Sequence, residues 1–226
     1  MLVIAVAVNW TNNRGAPHLY VVTSLTATAA LLWVARATGL SWRDLGLARD
    51  TWRAGIIWAA VIIAVVGSVY AIAVELPFTR ELFSDNRVQA TSLTTLAFHV
   101  FVRIPFGTVL LEEVLFRGVL LGLGARTMGW WRSAVVSSLL FGLWHILPAQ
   151  GAATSSPAVE DVVSAGGGGS AGLVLAVVTS VLATALAGLV FCFLRIRSGS
   201  LFASMGLHWA TNGLGYFFAA LIRGGL

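Results

Sequence analysis

Apolar runs of about twenty residues recur through this chain, divided by short arginine-bearing segments, and such a pattern folds into little other than membrane-spanning helices. In hydrocarbon every backbone N–H and C=O must be satisfied inside the protein, which a helix achieves within its own segment. Composition bears this out, with 58% hydrophobic residues, only 10% charged and a mean hydropathy of +0.88. A soluble domain carries about 25% charged residues. The expectation is an all-α fold, a polytopic transmembrane helix bundle of about six spans, forming a single integral membrane domain over residues 1–226.

The expected spans are about Leu19–Ala37, Ala54–Val74, a long region Leu93–Leu123, Ser133–Leu147 stopped by Pro148, Gly172–Leu194 and Leu201–Ile222. The third is too long for one straight crossing, and Pro105 and Gly107 interrupt it, so a broken helix is expected near Pro105. The segment Glu75–Gln89 is mixed in sign. Residues 149–171, with Gly166 to Gly169 followed by Ser170, read as a flexible loop. Met1–Val8 is apolar but too short to span, and no basic stretch precedes it, so it reads as a clipped or interfacial segment and not as a cleavable signal.

The formal charge is +5, but the basic residues form no stripe interleaved with aromatics, so no nucleic-acid partner is expected. They gather after the first, third and fifth spans, while the loops after the second and fourth are mixed or acidic. The positive-inside rule then puts the arginine-rich loops in the cytoplasm and both termini outside, in a plasma-membrane protein. The single cysteine, Cys192, allows neither an intramolecular disulfide nor a CxxC metal site.

Against this apolar background one stretch stands out, Glu112-Glu113-Val114-Leu115-Phe116-Arg117-Gly118. Charges at that depth cost several kcal/mol unless they are paired or used. Glu113 and Arg117 stand at i,i+4 and can pair as a purely structural bridge, but Glu112 points about 100° away and needs its own reason. His99, Arg103, His145 and His208 are the other ionisable residues inside apolar runs, and Asn212 shares a helix face with His208. Singly, a buried histidine is more often a satisfied core residue; jointly, a carboxylate, two imidazoles and a carboxamide on three spans can build one polar pocket. Such a pocket suits hydrolysis, with Glu112 as general base for a water, His145 orienting it or moving its proton, and His208 and Asn212 donating to the oxyanion. Alternatively Glu112, His145 and His208 bind zinc with an open position for water. HExxH and GxSxG are both absent. Phe141 and Trp144 read as packing, Trp209 as a wall of the pocket, and His99 with Arg103 as lining without an assigned role.

Glu112-Glu113-(x)3-Arg117, then Phe141-(x)3-His145, then His208-(x)3-Asn212, in that order on separate apolar helices, resembles the CPBP (CAAX protease and bacteriocin-processing, Abi) family of intramembrane endopeptidases. The turn Arg197-Ser198-Gly199-Ser200-Leu201 ahead of the last motif is similar as well, and the likeness runs over about 93–218. The resemblance implies that Glu112 activates water, that Glu113 and Arg117 support the site, and that His145, His208 and Asn212 complete it. It implies a peptide or lipidated-peptide substrate reached through membrane lipid. It also implies a glutamate-dependent mechanism without a cofactor, with zinc as the alternative. A non-catalytic binding or immunity protein of the same fold is the competing reading, ahead of a proton-relay transporter. The transporter would predict paired broken helices in two halves, and only one break is read here.

Overall fold

The computed structural model describes residues 1–80, 83, 92–152 and 157–222. Among these the regular structure is all helical, with no strand. The elements are α1 (Leu2–Trp10), α2 (Tyr20–Ala37), α3 (Trp52–Ala73), a continuous helical run α4 (93–128), α5 (Trp130–Trp144), α6 (Ile146–Ala152), α7 (Pro157–Ala165), α8 (Gly169–Ser198) and a second composite run α9 (201–222). Four stretches are long and apolar enough to cross a membrane: Pro17–Ala37, Arg49–Ala73, Trp130–Ala152 and Gly169–Ser198. The remaining two expected spans correspond to α4 and α9, which are less uniform because they carry the polar residues. Most of the mixed-sign segment expected after α3 lies outside the described residues.

α4 is the centre of the bundle. From Leu111 to Val119 every residue is buried, so this stretch has neighbours all round its circumference. Leu111, Leu115 and Phe116 pack on Ala27 and Leu31 of α2, on Ala5 and Val8 of α1, on Phe141 of α5 and on Phe191 of α8. Leu201 of α9 joins Val114 and Val119 on another side. α3 is the opposite case: Gly55 is its only buried residue, so its apolar surface is free to meet lipid. In this bilayer-suited fold the core is where the polar residues sit, and the periphery is where the leucines and valines face outward.

The irregularity expected at Pro105 takes a form the sequence did not dictate. The helix does not stop; it widens into π-helical turns from His99 to Val109 and again from Glu113 to Leu120. Proline removes one intrahelical donor, and a register change lets the helix continue around the defect. Pro148 likewise does not terminate its span. α5 ends in a turn at His145 and the chain resumes as α6. Pro148 cannot donate to the Trp144 carbonyl four residues back, and the Asn9 amide of the N-terminal segment donates to that oxygen instead, at 3.0 Å.

Residues 149–171, expected as a flexible loop, are largely helical: α6 reaches Ala152, α7 covers Pro157–Ala165, and α8 begins at Gly169. The glycines make a tight helical hairpin here. Gly167, Gly168 and Gly169 take positive φ, and a Cβ on Gly172 would stand 2.1 Å from the Val163 carbonyl oxygen. Residues 153–156 of that expected loop lie outside the described set.

The three arginine-rich segments come together at one end of the bundle. Arg126, at the end of α4, donates to the Gly39 carbonyl and to Asp44 in the α2–α3 connection. Arg195, near the end of α8, donates to the Arg43 and Asp44 carbonyls. Gly199 ends α8 in the left-handed region, and Ser200 caps α9, its hydroxyl accepting from the Phe202 N–H. The Leu201 N–H bonds the Gly46 carbonyl, so the turn before the last motif is tied to the same end.

Candidate active site

Glu113 and Arg117 sit one turn apart on α4, both without solvent exposure, with Arg117 Nη1 donating to Glu113 Oε1 at 3.1 Å. His208 of α9 meets the same oxygen through Nδ1 at 2.9 Å. The Arg117 guanidinium lies against the rings of Phe141 at 3.9 Å and Phe191 at 4.6 Å. Aromatic faces and one carboxylate thus stand in for water around a fully buried cation. Phe191 in turn stacks on the His208 ring, centroids 5.1 Å apart and planes 18° from parallel.

Glu112 is held differently. Its Oε1 accepts from the Trp144 indole N–H at 3.0 Å, while Oε2, buried, accepts no hydrogen bond from the described residues. The nearest basic group to Oε2 is His208 Nε2 at 3.7 Å, too far for a direct bond. His208 therefore spans the two carboxylates, bonded to one and facing the other. Since a carboxylate only accepts, its Nδ1 carries a proton.

Among the described residues His145 and Asn212 make no hydrogen bond or ion pair with this buried cluster. They line an open cleft of about 300 Å³ together with Phe141, Phe191, His208 and Thr211, so His208 is common to cluster and cleft. His145 Nδ1 lies 2.8 Å from the Phe141 carbonyl, which can only accept; the proton is on Nδ1 and Nε2 is the free nitrogen of the ring.

The sequence-predicted residues thus converge: Glu112, Glu113, Arg117 and His208 in one buried set, His145 and Asn212 on the cleft beside it. Phe141 and Trp144 pack in the core as expected, and each does more: Phe141 is the ring face under Arg117, and the Trp144 indole N–H donates to Glu112. A buried tryptophan N–H seeks a partner, and its place beside His145 was the available clue. Trp209 is not on the cleft: its indole donates to the Val100 carbonyl and pins α9 to α4. His99 and Arg103, at i,i+4, meet different neighbours. His99 stacks on Tyr216 of α9, whereas Arg103 lies over Tyr20 of α2. Among the described residues no three His, Cys, Asp or Glu side chains converge as metal ligands would. Glu112, His145 and His208 are therefore not gathered into a zinc-binding set.

No curated protein and no solved structure matches the chain. Residues 94–214, more than half of it, match the family of type II CAAX prenyl endopeptidases described as Rce1-like. The match starts at the head of α4 and ends in α9, so it contains every residue of the buried cluster and of the cleft's two polar ends. The chain is a member of the type II CAAX prenyl endopeptidase Rce1-like family, an integral membrane protein of the intramembrane endopeptidase kind.

Proposed function

We propose that the chain hydrolyses a peptide bond in a membrane-associated or lipidated peptide, with Glu112 as the general base. The observation that carries this reading is the unequal treatment of the two Glu112 oxygens. One is fixed by Trp144, and the other is buried, unbonded and directed to the side of His208. A carboxylate so held can accept a proton from a water at Oε2 without reorienting, which is what a general base needs.

In this scheme water adds to the scissile carbonyl as its proton passes to Glu112. His208, in its imidazolium form, and the Asn212 amide donate to the resulting oxyanion. The C–N bond then breaks, the amine leaves with the proton returned from Glu112, and the other product is a carboxylic acid. Glu113 and Arg117 support His208 from the side away from the substrate. His145, with Nε2 as an acceptor, positions the water or the substrate N–H. The arginine-rich end of the bundle faces the cytoplasm of the plasma membrane, following the positive-inside rule. No cofactor is needed for these steps.

The test is cleavage of a quenched peptide library, with and without a C-terminal farnesyl-cysteine motif, by purified protein in detergent. It is run beside Glu112→Ala and repeated with a zinc chelator. Activity that disappears in Glu112→Ala and survives the chelator is the expected result, and the preferred peptides name the substrate. Loss to the chelator with recovery on added zinc would transfer the mechanism to a metal. No cleavage of any peptide by well-folded protein would favour a non-catalytic binding or immunity role instead.

A further inference from the structure

The cleft that holds His145, His208 and Asn212 is a wedge between α8 and α9, and the wedge has a closed end. The two helices are joined by the Gly199–Ser200 turn and run antiparallel away from it. Near the turn they shut against each other and their neighbours. Arg195, Ser200 and Leu201 are buried, the Ser198 hydroxyl donates to the Ser200 carbonyl, and the Leu201 N–H is tied to Gly46. The stacked rings of Phe191 and His208 then make the floor, each about 12 Å of helix from the turn.

Beyond that pair the helices part, since α8 packs chiefly on Leu201–Trp209 of α9. Exposure follows the same gradient. Phe191 and His208 are buried, Thr184, Thr211 and His145 are half-buried, and Asn212 is exposed. Thr184 and Asn212 lie about 18–22 Å of helix from the turn. In a hydrocarbon core about 30 Å thick, the wedge therefore opens into the half away from the turn. The turn shares its end of the bundle with Arg126, Arg195 and the arginines of residues 36–53, the cytoplasmic end by the positive-inside rule. At the opposite end, among the described residues, Glu75, Glu160 and Asp161 outnumber Arg14 and Arg80.

The lining selects what can enter. Among the described residues no carboxylate and no arginine lines the wedge, and Ala187, Val190 and Leu207 form its apolar wall. The Thr184 and Thr211 hydroxyls donate to carbonyls of their own helices, so towards the wedge they accept. The Asn212 amide makes no hydrogen bond with the described residues and is free to donate and to accept. Such a set suits the N–H and C=O groups of a peptide with apolar side chains, whereas a charge would enter unpaired.

We infer that the site is loaded from the leaflet opposite the arginine-rich end, and that its substrate is an uncharged, apolar segment of an exported peptide inserted on that side. The inference extends the peptidase reading above.

The test uses right-side-out and inside-out vesicles from cells making the protein. Thr184→Cys and Ser41→Cys, each in a Cys192→Ala background and confirmed to melt cooperatively, are treated with a membrane-impermeant thiol reagent; Ala187→Cys replaces Thr184→Cys if the latter does not fold. Thr184→Cys should react in right-side-out vesicles only and Ser41→Cys in inside-out vesicles only, and any other pattern overturns the inference. Cleavage is measured with an apolar peptide carried on a soluble tail too polar to cross, beside the same peptide with aspartate or lysine inside the apolar segment. Glu112→Ala vesicles supply the background. The expected rate is about tenfold or more higher from the right-side-out face, and lower by a similar factor for the charged peptides. Faster cleavage in inside-out vesicles, or equal use of charged and uncharged peptides, overturns it. If nothing is cleaved, the peptidase reading fails by itself, and the thiol labelling still decides which side the wedge faces.

Discussion

Arg117→Met, taken with Glu113→Gln in a double-mutant cycle, probes the buried pair that supports His208. In the parent, Arg117 and Glu113 are both without exposure, 3.1 Å apart, and the guanidinium also rests on Phe141 and Phe191. Removing Arg117 leaves a buried carboxylate with only His208 as partner, which costs about 3–5 kcal/mol, and losing the aromatic contacts adds about 2 kcal/mol. Glu113→Gln alone strands the guanidinium at a similar cost of about 3–5 kcal/mol. Removing both charges strands neither, so the double variant should lie well short of the sum, with a coupling of about 2–3 kcal/mol. The assay is denaturant or steric-trap unfolding in a defined detergent or bicelle. Additivity of the two losses within about 0.5 kcal/mol would refute the reasoning, because it would mean the charges do not stabilise one another.

Trp144→Phe removes the one hydrogen bond to Glu112 Oε1 while keeping most of the indole's packing against Phe116. A bond to a carboxylate of about 1.5–3 kcal/mol predicts roughly a 10- to 150-fold fall in kcat/KM with little change in melting, read from peptide cleavage beside a thermal scan. Asp44 governs an acid limb of stability. Its partial burial pushes its carboxyl up, but bonds from the Ser41 hydroxyl and N–H and from Arg126 outweigh that and hold it below the usual carboxylate range. Its contribution is therefore complete above about pH 5 and declines as pH falls through the ordinary carboxylate value of about 3.9 towards the folded one. Arg126→Gln should flatten that decline in a melting-versus-pH series. Gly172→Ala puts a methyl where the Val163 carbonyl stands and should cost about 1–3 kcal/mol by prying α7 from α8, without touching cleavage of a bound peptide.

The polar set was legible in the sequence because the membrane makes each charge conspicuous. Glu112, Glu113, Arg117, His145, His208 and Asn212 stand out among the polar residues of these runs, and helical spacing puts Glu113 with Arg117 and His208 with Asn212 on shared faces. The arginine alternation was legible for the same reason, and Arg126 and Arg195 do close on one loop. The path of the backbone around prolines was less so. Pro105 reads as a break, yet a change to π turns satisfies the same missing donor, and local sequence does not choose between the two. The glycine run at 166–169 reads as a linker, but the same glycines allow a helix hairpin when a carbonyl must approach as closely as that of Val163 does. Trp144 was legible as packing but not as a donor, because a tryptophan in a membrane span has abundant packing reasons to be there; only the position of Glu112 across the bundle reveals the hydrogen bond.

The central claim is that Glu112 is the base and its neighbours serve to hold it. Glu112→Gln tests it most directly, since the amide oxygen can still accept from Trp144 while the group no longer takes a proton. In single-turnover cleavage of the best peptide, the account predicts unchanged folding and peptide affinity with a rate lowered by about 10²–10⁴. A Glu112→Gln protein that cleaves at close to the parent rate would contradict it.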